Sequence, residues 1–284
     1  MRGDLIDIGG RRLRAVRAGP EAPAPLVVCE HGAFGCAADW AVVQEKLAAK
    51  GLRSIAYDRA GMGHSEPGPL PRDGRAANAD LAALLRAMGE TGPFVLVGHS
   101  MGGLSSRLFA LTHPERVSGL VLVDAVTPDA LGLPGVPAAV AAFGQLLRLA
   151  SLAGRVGLMV PVSLLTGNLI GLTGEAKPEK RRIHASHVHA RWAAEEVLMW
   201  PRTSSLAGAA ELPETLPVAV VTAGAAHTRK PLKAMQETPA RRSRFGHIDH
   251  VARCNHANLL GPRFADAIVR GVEHVLSASR VRAG

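Results

Sequence analysis

The sequence predicts an α/β protein: a mostly parallel, doubly wound sheet with a helical segment inserted between two of its strands. Three observations carry that expectation. Short apolar runs (PLVVCE, FVLVG, VSGLVLVDA, PVAVVTAG) alternate with stretches of helical period, the pattern of parallel strands joined by crossover helices. The alternation stops after Ala125 and resumes at Pro217, with helical segments and no convincing strand between them. The length, 284 residues, suits one large domain with an insertion better than two independent domains. The expected division is a core of 1–126 and 211–284, with 127–210 as a helical cap.

Taken in order, MRGDLIDIGGRRLRAVRAG reads as two alternating strands joined at Gly9 and Gly10. It lacks the apolar core of a signal peptide. A buried strand is expected over 25–30, followed by HGAFG, and a helix over 39–50. LRSIAYD is the next strand and leads into the turn-rich RAGMGHSEPGP. An amphipathic helix begins near Asp73 and is stopped by Gly89. FVLVG is a strand, 100–113 a helix and VSGLVLVDA a strand. After the insertion come PVAVVTAG, a weaker strand within 244–251, and a last helix over 258–277.

Within the insertion, 132–173 carries only Arg148 and Arg155 as charges. Pro134, Pro137, Pro161 and several glycines argue against a continuous helix of the ~20 residues a membrane span needs. An apolar cap over a greasy pocket is expected instead, with no transmembrane span.

Composition narrows the partners. Hydrophobic residues make up 47% and aromatics only 4%, so core and pocket should be lined by aliphatic side chains. The net charge of +9 allows an anionic partner. The arginines are nevertheless scattered. The short clusters at 181–182 and 241–244 lack interleaved aromatics, which argues against nucleic acid. Three cysteines, Cys29, Cys36 and Cys254, make no disulfide framework and fit a reducing compartment, so a cytoplasmic protein is expected. Length and composition leave the oligomeric state open.

The chemistry centres on FVLVGHSMGGLSSRLFA. GHSMG fits G-x-S-x-G and lies between a strand and a helix, the setting that motif requires. Ser100 would be forced into a strained corner with its oxygen above the sheet. Gly98 and Gly102 would let strand and helix approach closely. The helix start aims free N–H groups at the site, and the Met101 N–H is available to a developing oxyanion.

These residues resemble the α/β-hydrolase fold family over nearly the whole chain. HGAFG looks like its oxyanion loop, and YDRAGMGHSEP like its characteristic turn. The resemblance implies a second oxyanion donor at the Ala33 N–H, with Phe34 as the alternative. Asp58, Arg59 and His64 would be structural, and His31 would hold its loop. Phe34 and His99, beside the donors and the nucleophile, are the expected substrate contacts.

A serine needs a general base. In the family this lies on the loop before the final helix, where His256 stands in CNHANLLGP; His247 and His250 fall in or beside the weak strand. The commonest position for the acid, shortly after PVAVVTAG, reads Ala225, Ala226, His227, Thr228 and offers no carboxylate. An alternative site known in the fold, the end of the preceding strand, holds Asp124; Asp129 and Asp249 are weaker options. The spacing of His184, His187 and His189 invites a metal reading, but no carboxylate or cysteine completes a set, and exposed helix histidines are expected.

The function expected is therefore a serine hydrolase acting on a carboxylic ester or related acyl bond of a small hydrophobic substrate, without metal or other cofactor. Two alternatives remain. The same site could serve an acyltransferase, lactonase, thioesterase, amidase or C–C hydrolase. The chain could also be a catalytically weak ligand-binding protein on a hydrolase scaffold.

Overall fold

The computed structural model describes residues 2–21, 25–225, 227 and 230–283. Strands β1 (Asp4–Asp7), β2 (Arg12–Ala18), β3 (Leu26–Glu30), β4 (Arg53–Tyr57), β5 (Phe94–His99), β6 (Val117–Val123), β7 (Val218–Ala223) and β8 (Gly246–Val251) form one eight-stranded sheet. Their spatial order is β1-β2-β4-β3-β5-β6-β7-β8. β2 pairs antiparallel with both β1 and β4, and every other pairing is parallel.

The central strands are buried on both faces, which explains their unbroken apolar runs. Alternate residues separate into two layers. Val27, Val97 and Val121 pack against α1 (Ala41–Ala49) and α10 (Asp266–Ala283). Val28, Leu96 and Leu120 face α2 (Gly74–Ala87), α3 (Gly102–Thr112) and α9 (Lys230–Arg242). Asp73 caps α2 by accepting the Ala76 N–H at 3.1 Å, so the helix begins where a short acidic side chain can satisfy a free donor.

Between β6 and β7 lie α4 (Val136–Arg155), α5 (Met159–Thr166), α6 (Ala176–Ala185), α7 (His187–Leu198) and α8 (Trp200–Ala207). α4 packs on α7 through Val140, Gly144 and Leu147, and α5 packs on α6. Three buried ion pairs tie α6 and α7 to the core: Glu179 to Arg14 of β2, Lys180 to Asp39 in the 3-10 turn before α1 at 2.8 Å, and Glu196 to Arg59 after β4 at 2.7 Å.

The structure corrects several expectations. α4 is a continuous 20-residue helix, and it alone among the described helices is long and apolar enough to cross a membrane. Pro137 sits in its first turn, where a missing N–H removes no helical bond, and Pro161 falls in α5. The helix after Ser100 starts at Gly102 rather than at the serine. The final helix starts at Asp266, because Asn258–Leu260 is a separate 3-10 turn. α9 carries an internal Pro239 and was not anticipated from the apolar pattern. Of the positions read for a missing acid, Ala226 and Thr228 lie outside the described residues.

Candidate active site

The carboxyl ends of β3 and β5 and the loop before α10 meet at one cleft of about 210 Å³, lined among others by Ala33, Phe34, His99, Ser100 and His256. In open α/β sheets this edge is where ligands bind.

Ser100 follows β5 with φ +55, in the left-handed region that a non-glycine residue enters only under strain. Two bonds fix the corner: the Ser100 N–H donates to Val123 O at 3.1 Å, and its carbonyl accepts the Val126 N–H at 3.0 Å. The flanking glycines are sterically required. A Cβ on Gly98 would lie 2.7 Å from Gly102 O, and one on Gly102 would lie 2.5 Å from Glu30 O. Strand, bend and helix can meet only without those side chains.

Asp124 follows β6, also at positive φ (+40), and its N–H donates to Val221 O at 2.7 Å. Its Oδ2 is 2.7 Å from His256 Nδ1. Its Oδ1 accepts the Ala223 N–H at 3.2 Å and the Gln236 amide at 3.4 Å. Burial alone would raise the Asp124 carboxyl; the His256 hydrogen bond and charge, with the Ala223 N–H, outweigh it and hold the group below its ordinary value. An ionised Asp124 accepts from Nδ1–H, which leaves His256 Nε2 with its lone pair.

His256 stands in the loop between β8 and α10, half-exposed at 51%. His99 braces it from beneath: the two rings lie 4.5 Å apart, and His99 Nε2 donates to the His256 carbonyl at 3.0 Å. Burial, reinforced by His256, pushes His99 down to about 3, so it is neutral and can donate only once. Its polar edge is thereby committed to the His256 backbone, although its ring borders the cleft.

The loop after β3 is held from several sides. Arg59 donates to His31 O at 2.6 Å and Gly32 O at 3.1 Å, and is itself paired with Glu30 and Glu196. His31 accepts the Arg59 N–H at 3.3 Å and bonds Gly32 O at 2.8 Å. Phe34 adopts φ +56, and its carbonyl accepts from His189 Nε2 at 3.2 Å and Lys180 Nζ at 3.4 Å. Among the described residues the Ala33, Phe34 and Met101 N–H groups have no protein acceptor. They are free donors at the edge of the cleft.

His189 corrects an expectation. It is 1% exposed rather than a surface histidine, and burial followed by the Lys180 charge pushes it down to about 3. Its Nδ1 accepts the Gly63 N–H at 3.0 Å, so the proton sits on Nε2, aimed at Phe34 O. His184 packs edge-on to Phe34, and burial with the Lys180 charge pushes it down to about 4. His187 is exposed. Among the described residues no group of three or more His, Cys, Asp or Glu is placed to hold a metal ion.

The other weighed residues lie apart from this cluster. Asp129 is exposed in a 3-10 turn, and Asp249 pairs with Arg270 at 2.7 Å. His247 stacks on His274, and His250 bonds Thr222 and Glu237. Asp58 accepts the Ala37 and His64 N–H groups and pairs with Arg14. Lys180 and His189 were missed as neighbours of the loop. The spacing of the histidines was visible, but nothing local in the sequence pairs α7 with a carbonyl at Phe34.

The chain has the α/β-hydrolase fold. A family model described as alpha/beta hydrolase fold matches residues 25–149. A thermophilic esterase from Thermogutta terrifontis superposes with TM-score 0.69 at 21% identity, over 97% of this chain and 99% of that one. Sequence relatives include the non-heme chloroperoxidase of Streptomyces lividans, 40% identical over 103 residues, 36% of this chain and 37% of that protein. The sn-1-specific diacylglycerol lipase ABHD11 of Mus musculus is 36% identical over 105 residues, 37% of this chain and 34% of that protein. The chain therefore matches well under half the length of these relatives.

Proposed function

We propose that the chain is a serine hydrolase that cleaves a carboxylic ester or related acyl bond of a small hydrophobic substrate. The observation that carries this reading is the pairing of Asp124 with His256 Nδ1, with His256 and a strained Ser100 lining the same cleft. Asp124 holds the imidazole in the tautomer with a free Nε2. His256 takes the Ser100 proton as the oxygen attacks the substrate carbonyl. The Met101 N–H and the Ala33 N–H, with Phe34 beside it, receive the oxyanion; each such donor is typically worth about 3 kcal/mol. His256 returns the proton to the leaving alcohol, then activates water, which releases the acid and restores Ser100.

A hydrophobic substrate fits the lining. Phe143, Leu169 and Ile170 reach the cleft from the inserted segment, which we read as a substrate-selecting cap over 127–210. Serine at the elbow places the covalent intermediate on a hydroxyl oxygen, which favours acyl transfer to water over epoxide or haloalkane opening by a carboxylate.

Labelling with a fluorophosphonate tests the proposal. Wild-type protein should be modified at Ser100 and should hydrolyse short p-nitrophenyl esters, and Ser100→Ala should do neither. A folded wild-type protein left unlabelled would overturn the reading and favour a ligand-binding role.

A further inference from the structure

The helices farthest from the sheet carry an apolar surface that hydrolysis does not use. Leu147 and its neighbours turn one side of α4 toward α7, while Leu146, Leu149 and Leu152 stand exposed on the other. α5 has Ser163 and Thr166 as its only polar residues, and Ser163 is the residue it buries, whereas Val160, Leu164 and Leu165 are exposed, Leu165 at 84%. The apolar face of a helix is normally buried in protein or lipid. An exposed patch of this kind marks a docking surface.

Its charge identifies the occupant. The stretch 133–174 contains no Asp or Glu. Arg148 and Arg155 lie at the edge of the exposed stripe of α4, and Lys177, Arg181 and Arg182 project from α6 beside α5. None of these five has a carboxylate partner among the described residues. Between α5 and α6 runs a groove of about 630 Å³ with Val160, Leu164 and Pro178 in its wall and Lys177, Arg181 and Arg182 around it. An apolar groove edged by cations matches an acyl chain beneath an anionic headgroup. A second copy of the chain would bring the same unpaired cations together, and an apolar protein partner would leave them uncompensated.

We infer that the α4–α5 face is a docking surface for an anionic lipid bilayer, on which the protein lies without crossing it. α4 has the length of a span, but one of its sides is committed to α7 and Arg148 falls within it. It therefore lies in the headgroup plane with its exposed leucines entering the acyl boundary. Phe143 on α4 and Thr166 and Leu169 at the end of α5 also line the cleft that holds Ser100. The docked face is continuous with the cleft mouth.

Co-sedimentation of the full chain with vesicles tests this, using phosphatidylcholine alone or mixed with phosphatidylglycerol. Ser100→Ala should bind as wild type does, which separates docking from hydrolysis. Binding should be at least about tenfold tighter with phosphatidylglycerol and should weaken with salt. The double variants Leu149→Gln/Leu165→Gln and Arg181→Glu/Arg182→Glu should each lose about tenfold or more. Leu149→Gln/Leu165→Gln should retain wild-type hydrolysis of a short soluble ester. No binding to the mixed vesicles, equal binding to both kinds, or a solution dimer dissolved by the leucine substitutions would overturn the inference.

Discussion

Asp124 Oδ2 lies 2.7 Å from His256 Nδ1, although 132 residues separate the two in the chain. The contact exists because β6 ends beside β5, so the residue after β6 faces the loop that arrives between β8 and α10. Asp124→Asn should keep the fold and lower kcat by about 10³–10⁴-fold, because an amide no longer selects the Nδ1–H tautomer. Steady-state hydrolysis of a soluble p-nitrophenyl ester, with circular dichroism as the fold control, measures this. Wild-type turnover in Asp124→Asn would remove Asp124 from the mechanism.

His189 reaches from α7 to the Phe34 carbonyl, so its removal should misplace the free N–H groups of that loop. His189→Ala is expected to reduce kcat about tenfold or more with little change in KM, since the contact matters most when the oxyanion forms. A rise in KM alone would assign His189 to substrate binding.

Gly102 is hemmed in by backbone, with a hypothetical Cβ at 2.5 Å from Glu30 O and 2.6 Å from His31 O. Gly102→Ala must push backbone against backbone and should cost about 1–3 kcal/mol in a urea unfolding experiment. Gly92→Ala, where nothing lies within 4 Å, serves as the control and should shift stability little.

Acid should destabilise the fold earlier than its carboxylates alone would require. His99 and His189 are held at about 3, against an ordinary value of 6.5. Above that ordinary value both states are neutral and neither residue matters. Below it the unfolded chain takes up protons that the folded chain refuses, and each residue removes about 1.4 kcal/mol per pH unit until its folded value is reached. Asp124 acts lower still: its folded value lies below 3.8, so its contribution is present above 3.8 and is lost as pH falls through the folded value. Urea midpoints should fall between about pH 7 and pH 5, and less steeply in His189→Asn. A flat profile over that range would contradict neutral, buried histidines.

The centre of the sheet was legible because β3, β5, β6 and β7 are buried on both faces and therefore read as nearly unbroken apolar runs. Ser100 was legible because a strained bend between strand and helix demands glycine at 98 and 102. Asp124 and His256 were reached through chain order and the family's alternative acid position, and the structure brings their side chains together. The arrangement behind them was not readable. His189 meets Phe34 across the fold, and no local pattern encodes that pairing. α4 was misread because prolines were counted as helix breakers wherever they fell, whereas Pro137 occupies the one turn that accepts it.

The three ion pairs that join α6 and α7 to the core have a thermodynamic consequence. Arg14, Lys180 and Arg59 are enclosed, and each pairs with a partner across the seam between insertion and core, Arg14 and Arg59 sharing their charge with Asp58 and Glu30 on the core side as well. Pulling the insertion away would break all three pairs at once and leave Asp39 without Lys180, while Arg14 and Arg59 would keep Asp58 and Glu30. Neither part can melt while the other stands intact, so heating should reveal one cooperative transition for the entire chain.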